Sequence, residues 1–215
     1  MDERERTEIV AKTADPAKRG TLGVILAGGE GRRMGGADKA LLPLAGKPLL
    51  AHVMARLLPL VGEAVLSANG DPARFAGFGL IVLADPLPGR LGPLAGMLAA
   101  MLWARTARPA IRDILSAPVD TPFLPPDLLA RLAAARAATR QPIACAASRA
   151  REHPAIALIP VTLADDLAGW LARGERRVGG FLARHGYAVA AYDGDPFLNI
   201  NTPEELQNQA RDLAP

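Results

Sequence analysis

The chain has one cysteine, Cys145, among its 215 residues. No intrachain disulfide can form, and the thiol lies in the apolar run 143–147, where it reads as a small core residue. Aromatic residues make up only 4% of the sequence. That is too few for the stacking platforms that grip single-stranded nucleic acid. The formal net charge is +3, with arginines spread along the chain rather than massed on one segment. A nucleic-acid partner is therefore not expected, and a small polyanionic ligand fits better. No apolar run approaches the roughly 18 residues that suggest a membrane span. The opening MDERERTEIV lacks the apolar centre of a signal peptide. These two absences predict a cytoplasmic protein with no membrane partner.

Chemistry is also missing where it is often found. Three histidines and one cysteine form no Ser/His/Asp order and no metal-ligand spacing. Asp165 and Asp166 are neighbours on a predicted helix, so their carboxylates point apart and read as a solvated face. Neither of the best-known phosphate loops is present. A Walker loop needs Gly-Lys-Ser/Thr after four spacer residues, but Lys39 follows Asp38 and precedes Ala40. The dinucleotide fingerprint needs a third glycine, and counting from Gly29 and Gly31 that place is taken by Met34.

What is there is an apolar strand, residues 22–26, that empties into Ala27-Gly28-Gly29-Glu30-Gly31, then Arg32-Arg33, Gly35-Gly36 and Asp38-Lys39. Glycines let backbone N–H groups approach phosphate oxygens, and the cations supply charge. Lys39 and Arg33 are placed to meet phosphates, with Arg32 open between that role and solvent. A solvated surface loop is the alternative reading of the same glycines.

Downstream, strands alternate with helices. Strands are predicted near 63–68, 80–84, 114–119, 142–147, 154–159 and 187–192. Helices are predicted from Pro48 through Val61, across Leu94–Leu102, 127–138, 163–171 and 176–184, and from Thr202. There Thr202-Pro203-Glu204-Glu205 spells a capping box with proline at the first helical position. Near-continuous apolar strands between helices predict a single-domain Rossmann-like α/β/α fold with a mainly parallel sheet. The expected division is a flexible leader over 1–20 and one domain over 21–215.

In such sheets ligands bind beyond the carboxyl ends of the strands. The polar residues closing the strands are then the informative ones: the glycine loop, Asn69, Asp85 and Asp120. Asp120, before Thr-Pro, is placed to carry Mg²⁺, an ion that takes one or two protein carboxylates plus phosphate oxygens. A capping aspartate is its alternative. Asp85 is placed to meet a base or sugar hydroxyl, with an Asp-Pro turn as its alternative.

The run L-A-G-G-x-G-x-R-M-G-x-x-K resembles the signature of sugar-nucleotide pyrophosphorylases and their relatives. With 92–96 (GPLAG), Asp120-Thr121-Pro122, His153-Pro154, 174–178 (GERRV) and 199–205 (NINTPEE), the chain resembles the molybdenum cofactor guanylyltransferase (MobA) family over nearly all of 22–210. The resemblance implies Mg²⁺-dependent transfer of GMP from GTP to the phosphate of molybdenum-molybdopterin, with pyrophosphate leaving. It implies GTP contacts from Leu26, Ala27, Gly28, Gly29, Lys39, Asp85 and Asp120, and an acceptor side of His153, Arg176, Arg177, Asn199 and Asn201. Partner proteins of molybdenum cofactor synthesis and delivery are implied as well. One departure is visible. Family members can have Asn-Ala-Asn after the second strand, where this chain has Ser67-Ala68-Asn69. A nucleotide contact there would pass to the Ser67 hydroxyl or move to Asn69. A cytidylyltransferase of the same pterin, a sugar-1-phosphate nucleotidyltransferase and a non-catalytic nucleotide-binding module share parts of the pattern.

Overall fold

The computed structural model describes residues 16–28, 38–89 and 91–212. A turn of helix, α1 (Pro16–Arg19), leads into β1 (Thr21–Leu26). It is tied down by Thr21 Oγ1 donating to Ala17 O and by Lys18 Nζ donating to Pro59 O. A small hairpin, β2 (Pro43–Leu44) with β3 (Lys47–Pro48), precedes α2 (Leu49–Leu57). Then come β4 (Glu63–Ser67), β5 (Ile81–Leu83), α3 (Pro93–Ala107), β6 (Asp113–Pro118), α4 (Leu128–Thr139), β7 (Ile143–Ser148), β8 (Arg151–Pro160), α5 (Ala164–Ala172), α6 (Val178–His185), β9 (Tyr187–Tyr192) and α7 (Pro203–Asp212).

Seven strands form one sheet in the order β5-β4-β1-β6-β8-β7-β9. The pairs β1–β4, β1–β6, β4–β5 and β7–β9 are parallel. Only β8 runs the other way, against β6 and β7. The expected mainly parallel α/β/α fold is therefore observed. Side chains alternate along each strand and fill two separate cores. Ile25, Leu66, Leu115 and Ala144 meet α2 and α4 on one face, through Leu50, Val53, Leu57, Leu128 and Leu132. Leu22, Val24, Val65 and Cys145 meet α3, α5 and α6 on the other, through Met97, Met101, Leu167 and Phe181. Burial pushes the Cys145 thiol up to about 12, consistent with its expected core role.

Two features of this topology shape the site. The chain runs from β1 outward to β4 and β5, then returns to β6 on the other side of β1. That reversal is the switch point at which open α/β sheets bind ligands. Farther along, the β6–β8 ladder ends at Leu115↔Leu158. Beyond it the Ser116 hydroxyl bonds to Ala155 O (2.9 Å) and Ala157 O (3.3 Å) in place of backbone pairing. The two strands thus part toward the edge where β6 ends.

The strand β8 begins at Arg151, three residues before its expected start. The β7–β8 connection is a two-residue hairpin in which Arg149 and Ala150 have φ of 48° and 57°. Such a turn needs positive φ at both central residues and normally carries Asn-Gly. Here the sequence signal is absent although the turn forms. The hairpin β2–β3 was also unsignalled, with Ala45 (φ 46°) and Gly46 (φ 78°) at its tip.

Candidate active site

The carboxyl ends of β1, β4, β5 and β6 surround a cavity of about 230 Å³. Its lining includes Leu26, Ala27, Gly28, Lys39, Ser67, Asp85 and Asp120, all named from the sequence, together with Gly92, Pro93, Pro118 and Val119. The latter four carry no chemistry-bearing side chain. Gly92 and Pro93 open the 92–96 segment quoted from the sequence, though no contact was assigned to them there, while Pro118 and Val119 were not singled out. Gly29 and Arg33 lie outside the described residues.

On the cavity wall Lys39 Nζ donates to Asp120 Oδ2 (2.8 Å), and it also donates to Asn201 Oδ1 (2.9 Å). The lysine and aspartate side chains are 18% and 21% exposed. The other Asp120 oxygen, Oδ1, is buried without a hydrogen-bond partner among the described residues. An ionised carboxylate oxygen without a donor is costly, so this atom suits a cation that arrives with a ligand. Among the described residues no three His, Cys, Asp or Glu side chains converge. An ion there would be held by Asp120 and by oxygens of the ligand, the pattern Mg²⁺ favours.

The loop after β6 is held by the chain's last segment. Ile200 N donates to Asp120 O (2.9 Å), and Thr121 Oγ1 donates to Asn199 Oδ1 (2.9 Å). The expected capping box is present: Glu205 N donates to Thr202 Oγ1 (3.1 Å), and Glu205 Oε2 accepts from Thr202 N (3.1 Å) and Asn201 N (2.6 Å). Helix α7 thereby fixes Asn201 beside Lys39. The Asn201 oxygen is taken by Lys39 and the Asn199 oxygen by Thr121, which leaves the two NH₂ groups as donors. The structure therefore puts Asn199 and Asn201 at the junction of the two halves of the sheet edge.

The strand-end backbone is partly committed. Ala27 N donates to Ser67 O (2.9 Å), and Val119 N donates to Leu26 O (3.0 Å). The ladder thus extends through Ala27, and Gly28 is the next backbone donor beyond it. Asp85 is braced from two directions by Asn69. The amide Nδ2 donates to Asp85 Oδ2 (2.8 Å), and Asp85 N donates to Asn69 Oδ1 (2.9 Å). Asn69 thus acts on the cavity through Asp85, while Ser67 lines it directly.

Ser67 is buried against the first turn of α3. A Cβ added at Gly96 would lie 2.2 Å from Ser67 Oγ, 2.8 Å from Ser67 Cβ and 2.9 Å from Leu26 Cδ2. Gly96 is what lets α3 approach two cavity-lining residues this closely. Gly96→Ala should lower unfolding free energy by about 1–3 kcal/mol, the usual cost of overpacking, and should weaken nucleotide binding as well. Denaturant titration and nucleotide titration of the same variant check both. A stability equal to that of the parent would mean the helix can retreat freely.

The second half of the same edge carries His153, at the start of β8. Ser148 Oγ is 2.9 Å from His153 Nε2 and 3.3 Å from Asp195 Oδ1. The hydroxyl has one proton, and the carboxylate can only accept. Ser148 therefore donates to Asp195 and accepts from Nε2–H, which leaves His153 Nδ1 as an acceptor. Burial, then the charge of Arg151, lowers the His153 pKa, with Asp195 opposing. A neutral ring is thus favoured at neutral pH. Ser148 and Asp195 were not singled out from the sequence, because neither stands in a recognisable pattern. Arg176 and Arg177, just before α6, are exposed. Arg176 Nη1 is held by Leu171 O (2.7 Å) and Glu175 O (2.9 Å). Among the described residues no hydrogen bond joins either arginine to the Lys39–Asp120 pair.

Of the unassigned sequence features, Asp165 is an exposed partner of Arg105, as a solvated face requires. His52 Nε2 meets Leu44 O at 2.7 Å and is a packing histidine. No described helix is long and apolar enough to cross a membrane.

A family profile described as the MobA-like NTP transferase domain matches residues 23–189. A protein of Cereibacter sphaeroides named molybdenum cofactor guanylyltransferase is 56% identical over 188 residues, 86% of this chain and 93% of its own length. One of the same name from Rhodopseudomonas palustris (strain BisB5) is 50% identical over 195 residues, 89% of this chain and 93% of its own. Among solved structures, molybdopterin-guanine dinucleotide biosynthesis protein A from Archaeoglobus fulgidus superposes with a TM-score of 0.68 at 23% identity. That match covers 89% of this chain and 97% of the other, and it bears out the fold. The chain belongs to the MobA-like NTP transferase family and is a nucleotidyltransferase.

Proposed function

We propose that this enzyme transfers GMP from GTP to the terminal phosphate of molybdenum-molybdopterin, with Mg²⁺, and releases pyrophosphate. The observation that carries the reading is the Lys39–Asp120–Asn201 centre. It stands where a nucleotide cavity on the β1/β4/β5/β6 half of the edge meets a polar half built from β7, β8 and β9. The names of the close relatives support the base and the acceptor.

In this reading an acceptor phosphate oxygen forms a bond to the α-phosphorus of GTP as the bond to the β-phosphate oxygen breaks. The electron pair leaves with pyrophosphate. A phosphate monoester is already anionic near neutral pH, so no general base is required. The difficulty is bringing two anions together, and positioning with charge neutralisation must supply most of the rate. Mg²⁺ held by Asp120 would supply positive charge at the triphosphate. Lys39 holds Asp120 in place and presents an ammonium to the phosphates. Gly28 and Gly29 offer backbone donors, and Arg33 adds charge. Asp85, fixed by Asn69, accepts from the guanosine end. On the acceptor side, the asparagine NH₂ groups and Arg176 and Arg177 bind phosphate, while His153 Nδ1 accepts from an N–H of the pterin.

The test is pyrophosphate release from purified protein given Mg²⁺, molybdenum-loaded pterin and each of GTP, CTP, ATP and UTP in turn. Release with GTP alone is expected. Release with CTP alone would overturn the base assignment, and no release with any nucleotide would overturn the acceptor.

A further inference from the structure

The geometry points to Arg74 as a positioning residue for the nucleotide, its guanidinium tying the turn that carries Lys39 to the loop that braces Asp85. The inference rests on the proposed nucleotide site and names a residue outside its lining. Arg74 Nε donates to Asp38 Oδ2 at 2.6 Å, and the pair is 31% and 24% exposed. The second Asp38 oxygen accepts from Ala40 N at 3.2 Å, capping the short helical turn Lys39–Leu41. On its other side Arg74 donates to two carbonyls of the loop after β4, Nη2 to Asn69 O (2.5 Å) and Nη1 to Asp71 O (3.0 Å). Asn69 in turn makes two side-chain amide bonds to Asp85. One planar cation thus links the phosphate end of the cavity to its nucleoside end. A planar fork can meet three acceptors at once, whereas an ammonium on a flexible stem cannot hold the same arrangement.

Asp71 is set for this as well, since its carboxylate accepts from Ala73 N (2.9 Å) and starts the turn Pro72–Phe78 on which Arg74 rides. Gly70, at φ 87°, brings the loop back under the guanidinium, and a Cβ there would lie 2.8 Å from Arg74 Nη1. The ion pair lies near the surface, where such pairs contribute little to folding. Its consequence should therefore show in nucleotide binding more than in stability.

The test compares wild type, Arg74→Ala, Arg74→Lys, Asp38→Asn and the Arg74→Ala/Asp38→Asn pair. GTP affinity is measured by calorimetry, and KM and kcat by pyrophosphate release. Asp38→Asn retains an oxygen for the Ala40 cap but loses the charge partner. Arg74→Ala is expected to weaken GTP binding and raise KM about tenfold, a 1.4 kcal/mol effect, with kcat within about twofold. Arg74→Lys should recover only part of the loss. The pair should be no weaker than Arg74→Ala alone, because both changes cut one link. Losses that multiply in the pair, or a full recovery by Arg74→Lys, would overturn the bridging role. Wild-type binding of GTP with an unchanged Arg74→Ala affinity would overturn this inference alone. A wild-type protein that binds no nucleotide would overturn the proposed function and this inference together.

Discussion

Asp120→Asn should cut nucleotidyl transfer by about a thousandfold, the scale on which lost charge stabilisation slows phosphoryl transfer, while leaving the protein folded. The substitution keeps the shape of the side chain and removes its charge. Three observations make this the position of largest effect. Asp120 closes β6 at the switch point of the sheet. Its Oδ1 atom is buried with no partner among the described residues, while Oδ2 is taken by Lys39. Its backbone oxygen is already used to anchor Ile200, so the loop keeps that anchor when the side chain changes. The thermal midpoint should move by only a few degrees, since a partly exposed pair is worth about 1 kcal/mol or less in folding. Turnover of the wild type should likewise vanish with a chelator and return when Mg²⁺ is restored. Asp120→Asn retaining a third or more of wild-type turnover with Mg²⁺ would remove this carboxylate from the reaction.

The architecture was legible because its signals are local. Apolar strands of near-continuous hydrophobicity, separated by helices with one buried stripe, leave few arrangements other than a covered parallel sheet. Asp85 and Asp120 could be found as polar residues that end such strands, and Lys39 as a cation just past a glycine turn. The capping box at Thr202 and Glu205 was written in four consecutive letters. What stayed hidden depends on partners far apart in sequence. The Lys39–Asn201 bond joins residues 162 positions apart. Arg74 sits in a loop with no pattern of its own, 36 positions from Asp38. The reversed direction of β8 was hidden for a different reason. Its entry turn places Arg149 and Ala150 at positive φ, a conformation that costs L-residues about 1–2 kcal/mol each, and the neighbouring pairing must offset that. Residue type gives no hint of a turn maintained from outside.

Lys39→Met should weaken GTP binding by roughly ten- to a hundredfold, the loss of one charge-assisted contact of about 1.5–3 kcal/mol. The variant keeps the length of the side chain and discards the ammonium. Lys39 has two roles in this reading, and they share one atom. Nζ pairs with Asp120 and holds Asn201. Removing it leaves a half-buried carboxylate without its cation, at a cost between that of an exposed pair and that of a buried one, about 1–2 kcal/mol. Weaker binding could then reflect a disturbed Asp120 rather than a lost phosphate contact. Binding measured with a chelator present separates the two. Without metal, Asp120 repels the triphosphate and Lys39 attracts it. Asp120→Asn should therefore bind GTP as tightly as wild type or more so, while Lys39→Met binds more weakly. The double variant, in which no carboxylate remains to be disturbed, should stay weak, because the ammonium that meets the phosphates is still missing. If the double variant instead recovers wild-type affinity, Lys39 serves only to steady Asp120. An unchanged dissociation constant in Lys39→Met itself would take the lysine out of the nucleotide site altogether.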